Sequence, residues 1–166
     1  MALRDIKPTR SELINLKRKI QLSERGYKIL KMKRDGLILE FFKILANAKD
    51  TRGVLLSRYE HAVEMMALAN TVEGAIGVKS AAFSVKEVPQ ITLKSKNIMG
   101  VVVPQIESSK VRKSVVDRGY GVLGTSTVID ETASAFEELV ESIIESAEIE
   151  TTMKRLLDEI EKTKRR

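Results

Sequence analysis

The sequence predicts a mainly α protein: two long antiparallel helices forming a coiled-coil hairpin, with a small β-hairpin in the middle segment. Three observations carry that expectation. A seven-residue apolar repeat runs from Thr9 to about Thr71, and a second repeat spaced by threes and fours runs from about Ser126 to the last residues. Between them the apolar period falls to two, the spacing of a half-buried strand. The chain therefore divides into a first coiled-coil helix (1–71), a middle segment (72–125) and a second coiled-coil helix (126–166).

The first helix starts at a clear signal. Pro8 suits a boundary, and Thr9 is an N-cap with Glu12 three residues on. With Leu13 as position a, the a series reads Leu13, Ile20, Tyr27, Arg34, Phe41, Ala48, Leu55, Ala62 and Ala69. The d series reads Leu16, Ser23, Leu30, Leu37, Ile44, Thr51, Arg58 and Met65, with three polar interruptions. At 1.5 Å per residue such a helix is roughly 90 Å long, far beyond an ordinary globular helix. A rod of that length needs a partner along its stripe. Gly26, Gly36 and Gly53 each cost up to ~1 kcal/mol relative to alanine; they are read as places of close approach or bending. Asp50-Thr51-Arg52-Gly53 is the expected kink.

Gly74 and Gly77 end or break the long helix. Gly74 to Ser80 superficially suggests a phosphate loop, but valine occupies position 78 where that pattern needs glycine, and no strand precedes it. A hairpin is expected at about residues 90–106, with Gln90–Lys96 and Val101–Ile106 pairing around the turn signal Asn97 to Gly100. Pro89 and Pro104 confine those strands to edges. A lone hairpin is marginal in water, so it lies against the helices or another protein. Lys110, Arg112, Lys113 and Arg118 sit in a linker containing Gly119-Tyr120-Gly121-Val122-Leu123-Gly124. That match to GxGxxG lacks the second strand of a dinucleotide site and reads as a glycine-rich turn packed at a helix junction.

The second helix places Asp130 and Glu131 in its first turn, where negative charge suits the helix dipole. Its expected seam is Ile129, Ala133, Phe136, Leu139/Val140, Ile143, Ala147, Met153, Leu156/Leu157 and Ile160. Glu137, Glu138, Glu145, Glu148 and Glu150 read as its solvated face. The pattern is still running at Lys164-Arg165-Arg166, which suggests a truncated returning helix. Residues 1–60 hold 15 basic and 7 acidic side chains, whereas residues 126–166 hold 6 and 11. Oppositely charged helices that pack side by side would carry this asymmetry, because flanking charges steer pairing.

Composition narrows function. There is no cysteine, aromatics make up 4%, and the net charge is +6. Thiolate metal sites and disulfides are excluded. The charged start is no signal peptide, and no apolar run reaches the ~20 residues of a membrane span, so a soluble intracellular protein is expected. His61, with Glu64 three residues on, makes at most half a metal site. No nucleophile–base pair can be assembled, and the chain reads as non-catalytic, without cofactor or metal. Scarce aromatics and the lack of a groove-reading motif argue against nucleic acid.

Pro8-Thr9-Arg10, Leu13 and Leu16-Lys17 precede a longer run, Gly26-Tyr27-Lys28-Ile29-Leu30-Lys31-Met32-Lys33-Arg34-Asp35-Gly36-Leu37, and then Phe41-Phe42. Together they resemble the N-terminal signature of the D subunit of archaeal A-type and vacuolar-type rotary ATPases. Asn97-Ile98-Met99-Gly100-Val101 and Gly119-Tyr120-Gly121, followed by an acidic helix, are similar to that family's middle segment. The resemblance covers essentially the whole chain. It implies a central rotor shaft that couples ion translocation to ATP synthesis or hydrolysis without binding nucleotide, at the cytoplasmic face of the membrane. It also implies partners: the F and C subunits at the lower part with the hairpin, and the catalytic A and regulatory B subunits around the coiled coil. The partner-binding candidates are Arg10, Lys17, Arg18, Lys28, Lys33 and Arg34, and Ile98, Met99, Val101 and Val103 of the hairpin. The basic upper rod (Arg4, Lys7, Arg10, Lys17, Arg18) is expected to face acidic loops of the A/B hexamer. A static coiled-coil scaffold or adaptor is the alternative.

Overall fold

Thr9 opens the first helix, α1 (Arg10–Val72), with its Oγ1 accepting from the Glu12 backbone N–H at 3.3 Å. The computed structural model describes residues 9–85, 89–109, 111–121 and 124–165. Arg4, Lys7, Pro8, Lys110, Val122, Leu123 and Arg166 therefore lie outside the described residues. Helix α1 is about 95 Å long and runs through Asp50–Gly53 as one element. It breaks at Glu73, where the glycines mark it, and Gly74, at φ +76°, starts α2 (Gly74–Ser84). Glycine adopts that left-handed geometry without a steric penalty.

The middle segment then forms β1 (Gln90–Ile98) and β2 (Val101–Ser109), paired antiparallel with Ile98 opposite Val101 and Gln90 opposite Ser109. Both strands are longer than their alternation suggested. Met99 (φ 51°) and Gly100 (φ 86°) make the two-residue turn. Positive φ at both central positions is the type I′ geometry that suits the twist of a hairpin. A left-handed methionine is unusual. Here Asn97 Oδ1 accepts from the Gly100 N–H at 2.7 Å, and the Met99 side chain lies against Gly36. A Cβ on Gly36 would sit 2.5 Å from Met99 Cε, so the methionine tip rests directly on the helix backbone there.

A short 3₁₀ turn (Val115–Arg118) leads to α3 (Thr127–Arg165), about 58 Å long. Gly119 joins them at φ +87°, and a Cβ there would meet the Ser84 carbonyl oxygen at 2.6 Å. That is the close packing expected of a glycine-rich turn at a helix junction.

Helices α1 and α3 run antiparallel. Met65 meets Thr132, Ala62 meets Ala135 and Leu139, Arg58 meets Ser142, and Leu37 meets Leu156. The core lies along this seam in separate clusters. At its upper end Leu37, Val101, Val103 and Leu156 are buried, with Phe41, Ile44, Ile98 and Ile160 packed around them. The hairpin thus lies along the paired helices, its tip beside Gly36, halfway along α1. Lower down, Ala62, Ala135 and Leu139 are buried together. At the foot Ala81, Tyr120 and Ile129 close the junction of α2, connector and α3.

The α1 seam is where the heptad places it, but α3 differs from expectation. Its buried line is Ile129, Thr132, Ala135, Leu139, Ser142, Ser146, Thr152, Leu156 and Thr163. Ile143 and Leu157, counted as seam, are about half exposed, and Ala147 is exposed. Small hydroxyl residues take several of those places. Ser142 bonds to the Glu138 carbonyl at 3.0 Å and Thr163 to the Glu159 carbonyl at 2.7 Å. Thr132 lies 2.7 Å from the Val128 carbonyl and 3.1 Å from the Met65 carbonyl of α1. An apolar pattern cannot register such residues.

Candidate protein-interaction site

Above the hairpin tip, α1 carries its apolar stripe uncovered. Leu13 is 53% exposed, Ile20 57% and Tyr27 68%, whereas Leu37 on the same seam is fully buried. Toward this end of α1, the α3 seam includes Leu156 beside Leu37, Glu159 paired with Lys33 at 2.8 Å, and buried Thr163. Arg10, Lys17, Arg18 and Lys28 are exposed on this upper reach. Lys33 is engaged with Glu159, and Arg34 pairs with neighbouring Asp35 at 3.0 Å.

The hairpin candidates divide. Met99 is partly exposed at the tip, and Ile98 is half-buried. Val101 and Val103 are buried against Leu37 and Leu156. Their β-branched side chains hold the hairpin to the paired helices and leave little surface for another protein.

The acidic face of α3 is also less solvated than its sequence implies. Arg118 in the connector is only 4% exposed and makes a bidentate pair with Glu137, Nε to Oε1 and Nη2 to Oε2, both 3.1 Å. Its Nη1 donates to the Asp130 carbonyl at 2.9 Å and its Nη2 to Ser134 Oγ at 2.8 Å. Tyr120 completes the cluster by donating to Asp130 Oδ1 at 2.7 Å. Burial by itself would lower the Arg118 pKa, but its hydrogen bonds to Glu137 and Tyr120 and the charge of Glu137 outweigh it and hold it above the ordinary value. Burial, and then the hydrogen bond to Asp130, push the Tyr120 phenol up. Arg112 adds a bond to Glu141 at 3.0 Å. The α3 carboxylates thus bind the connector more than they bind α1. Farther along, Glu148 Oε2 accepts from the Ile106 N–H at 2.8 Å, so it too is engaged. The charge balance pointed to pairing between helices. The signal that would have found these bonds is the basic linker lying just before an acidic first half of α3.

His61 stands exposed on α1. Among the described residues, no cluster of three or more His, Cys, Asp or Glu is placed to hold a metal, and no helix is long and apolar enough to cross a membrane. At the opposite end from Leu13, α2 exposes Ile76 at 87% and Phe83 at 88%.

Two long antiparallel helices clipped by a hairpin define a coiled-coil spindle. The family model for the ATP synthase D subunit matches residues 12–166, and the chain belongs to that family. It is 87% identical to the A-type ATP synthase D subunit of Methanoregula boonei over 166 residues, which is all of this chain and 79% of that relative. Identity to the A-type ATP synthase D subunit of Methanosarcina acetivorans is 65% over the same 166 residues, 79% of the relative. For that of Haloarcula marismortui it is 57% over 163 residues, covering 98% of this chain and 71% of the relative.

Proposed function

We propose that this chain is the central shaft of an A-type ATP synthase, turning inside the ring of A and B subunits and carrying torque between ion translocation and ATP turnover. The observation that carries this reading is the antiparallel pairing of α1 with α3, clipped by the hairpin where Leu37, Val101, Val103 and Leu156 are buried together. A torque-bearing element needs stiffness along its length. Each seam residue such as Leu37 or Leu156 contributes roughly 1.5–3 kcal/mol on burial, and repetition along the seam supplies rigidity against twist.

On this reading the chain carries out no reaction. Arg10, Lys17, Arg18 and Lys28 face the A/B ring, and turning presents a different face to each catalytic site. A site whose conformations contact that face unequally shifts its population accordingly. The exposed Ile76 and Phe83 at the foot suit an apolar seat on the C subunit, and the outer side of the clamped region suits the F subunit. The complex works at the cytoplasmic face of the membrane. The test is reconstitution with the A, B, C and F subunits. One copy of this chain per catalytic ring, with charge reversal at Arg10, Lys17 and Arg18 lowering the coupling of ATP turnover to ion movement, supports the shaft. Unchanged coupling would leave a static scaffold instead.

A further inference from the structure

The two outer edges of the β-hairpin are treated differently. In a type I′ hairpin the residues flanking the turn, Ile98 and Val101, form a hydrogen-bonded pair, and pairs alternate from there. The backbone groups of Val102, Pro104, Ile106 and Ser108 therefore point away from β1, and those of Ile91, Leu93, Ser95 and Asn97 point away from β2. On β2 three of those four positions are engaged or lack a donor. Arg155 Nη1 donates to the Val102 carbonyl at 2.7 Å, Glu148 accepts from the Ile106 N–H at 2.8 Å, and Pro104 has no N–H to offer. On β1 the edge is open. Among the described residues no group bonds to the outer backbone of Ile91, Leu93, Ser95 or Asn97, and β1 contains no proline. Ser95 stands directly opposite Pro104, so one register position is blocked on one strand and free on the other.

An open edge with four outward donors is a template for a further strand. We propose that β1 is a docking edge for an extended segment of a partner protein, one that alternates acidic and apolar side chains. The chemistry follows from the two faces of the strand. Lys94 and Lys96 project on one face, Lys94 held by Glu107 at 2.7 Å and Lys96 without an ion pair among the described residues. Ile91 and Leu93 project on the other, Leu93 at 70% exposure. A strand laid beside β1 meets lysines on one face and aliphatic side chains on the other. Carboxylates and apolar groups at alternate positions satisfy both. A second copy of this chain is disfavoured, because pairing β1 with β1 sets lysines against lysines. The inference does not depend on rotation and stands or falls apart from the shaft reading.

Amide hydrogen exchange of the whole chain, resolved by residue, tests it, with a nonapeptide of alternating glutamate and valine as probe. In the free chain, Thr92, Lys94 and Lys96 exchange slowly and Ile91, Leu93, Ser95 and Asn97 rapidly. At saturating peptide the second set is expected to slow at least tenfold, while an alternating lysine–valine peptide leaves it unchanged. Ser95→Pro removes one outward N–H without touching the β1–β2 ladder, and it is expected to abolish the peptide effect while Thr92 and Lys96 stay protected. The proposal is overturned if millimolar glutamate–valine peptide leaves the four amides fast, if the lysine peptide protects them equally, or if Ser95→Pro binds unaltered. Protection that rises with chain concentration alone, without peptide, makes the occupant a second copy and also overturns it.

Discussion

Replacing Leu37 by alanine tests where the paired helices are held together. Leu37 is fully buried at the one point where α1, β2 and α3 meet, between Val101, Val103 and Leu156. Truncation removes three buried carbons, worth about 2–2.5 kcal/mol of transfer energy, and leaves a cavity whose lining cannot fully collapse. The expected loss is about 3–4 kcal/mol, within the range for buried leucine-to-alanine changes. The hairpin should suffer most, because two strands alone are marginal in water and this cluster is their main seat. Leu13→Ala is the control: it lies on the same heptad stripe but is 53% exposed, so its cost should stay within about 0.5 kcal/mol. Urea denaturation followed by circular dichroism gives both values, and amide exchange of Lys94, Lys96 and Val103 reads the hairpin. A Leu37→Ala loss below about 1 kcal/mol, or an equal loss for Leu13→Ala, would refute the placement of the core.

Other perturbations probe the connector and the backbone. Arg118→Met leaves Glu137 without its bidentate partner and should destabilise the chain by about 3 kcal/mol, the low end for breaking a buried pair because the carboxylates keep some solvent; thermal melts with Glu137→Gln as second variant check it. Tyr120, whose pKa is raised on folding, contributes stability that is complete below the unfolded value near 10 and is lost as pH rises through the folded value. Ultraviolet titration should show a late tyrosine ionisation that is absent in Tyr120→Phe. Gly53→Ala has open space within a helix and should stabilise by about 0.5–1 kcal/mol. Gly119→Ala, at positive φ and against the Ser84 carbonyl, should destabilise by more than that; denaturant midpoints of opposite sign are the readout.

Much of the architecture was legible because helical periodicity survives along a rod. The α1 register from Arg34 to Ala69 follows from spacing alone, as does the N-cap at Thr9. The hairpin was legible from its alternation and from Asn97 to Gly100, although a methionine in the left-handed turn position hid which two residues reverse the chain. The α3 seam was misread in places because Thr132, Ser142 and Ser146 are buried in it, and these look like surface in a hydropathy pattern. The Arg118 cluster was hidden for a different reason. It joins residues from two segments whose charges were tallied separately, and a tally does not say which partner a carboxylate takes. Val101 and Val103 looked available because alternation marks which residues share a face and not what that face meets.

The central claim is that this chain turns. A reporter fixed through a cysteine introduced at exposed Ser57, in a reconstituted complex immobilised by its A or B subunits, measures it directly. Unidirectional rotation that depends on ATP and stops when the chain is cross-linked to the ring is the predicted result. Sustained ATP hydrolysis coupled to ion movement while the reporter stays stationary would contradict it.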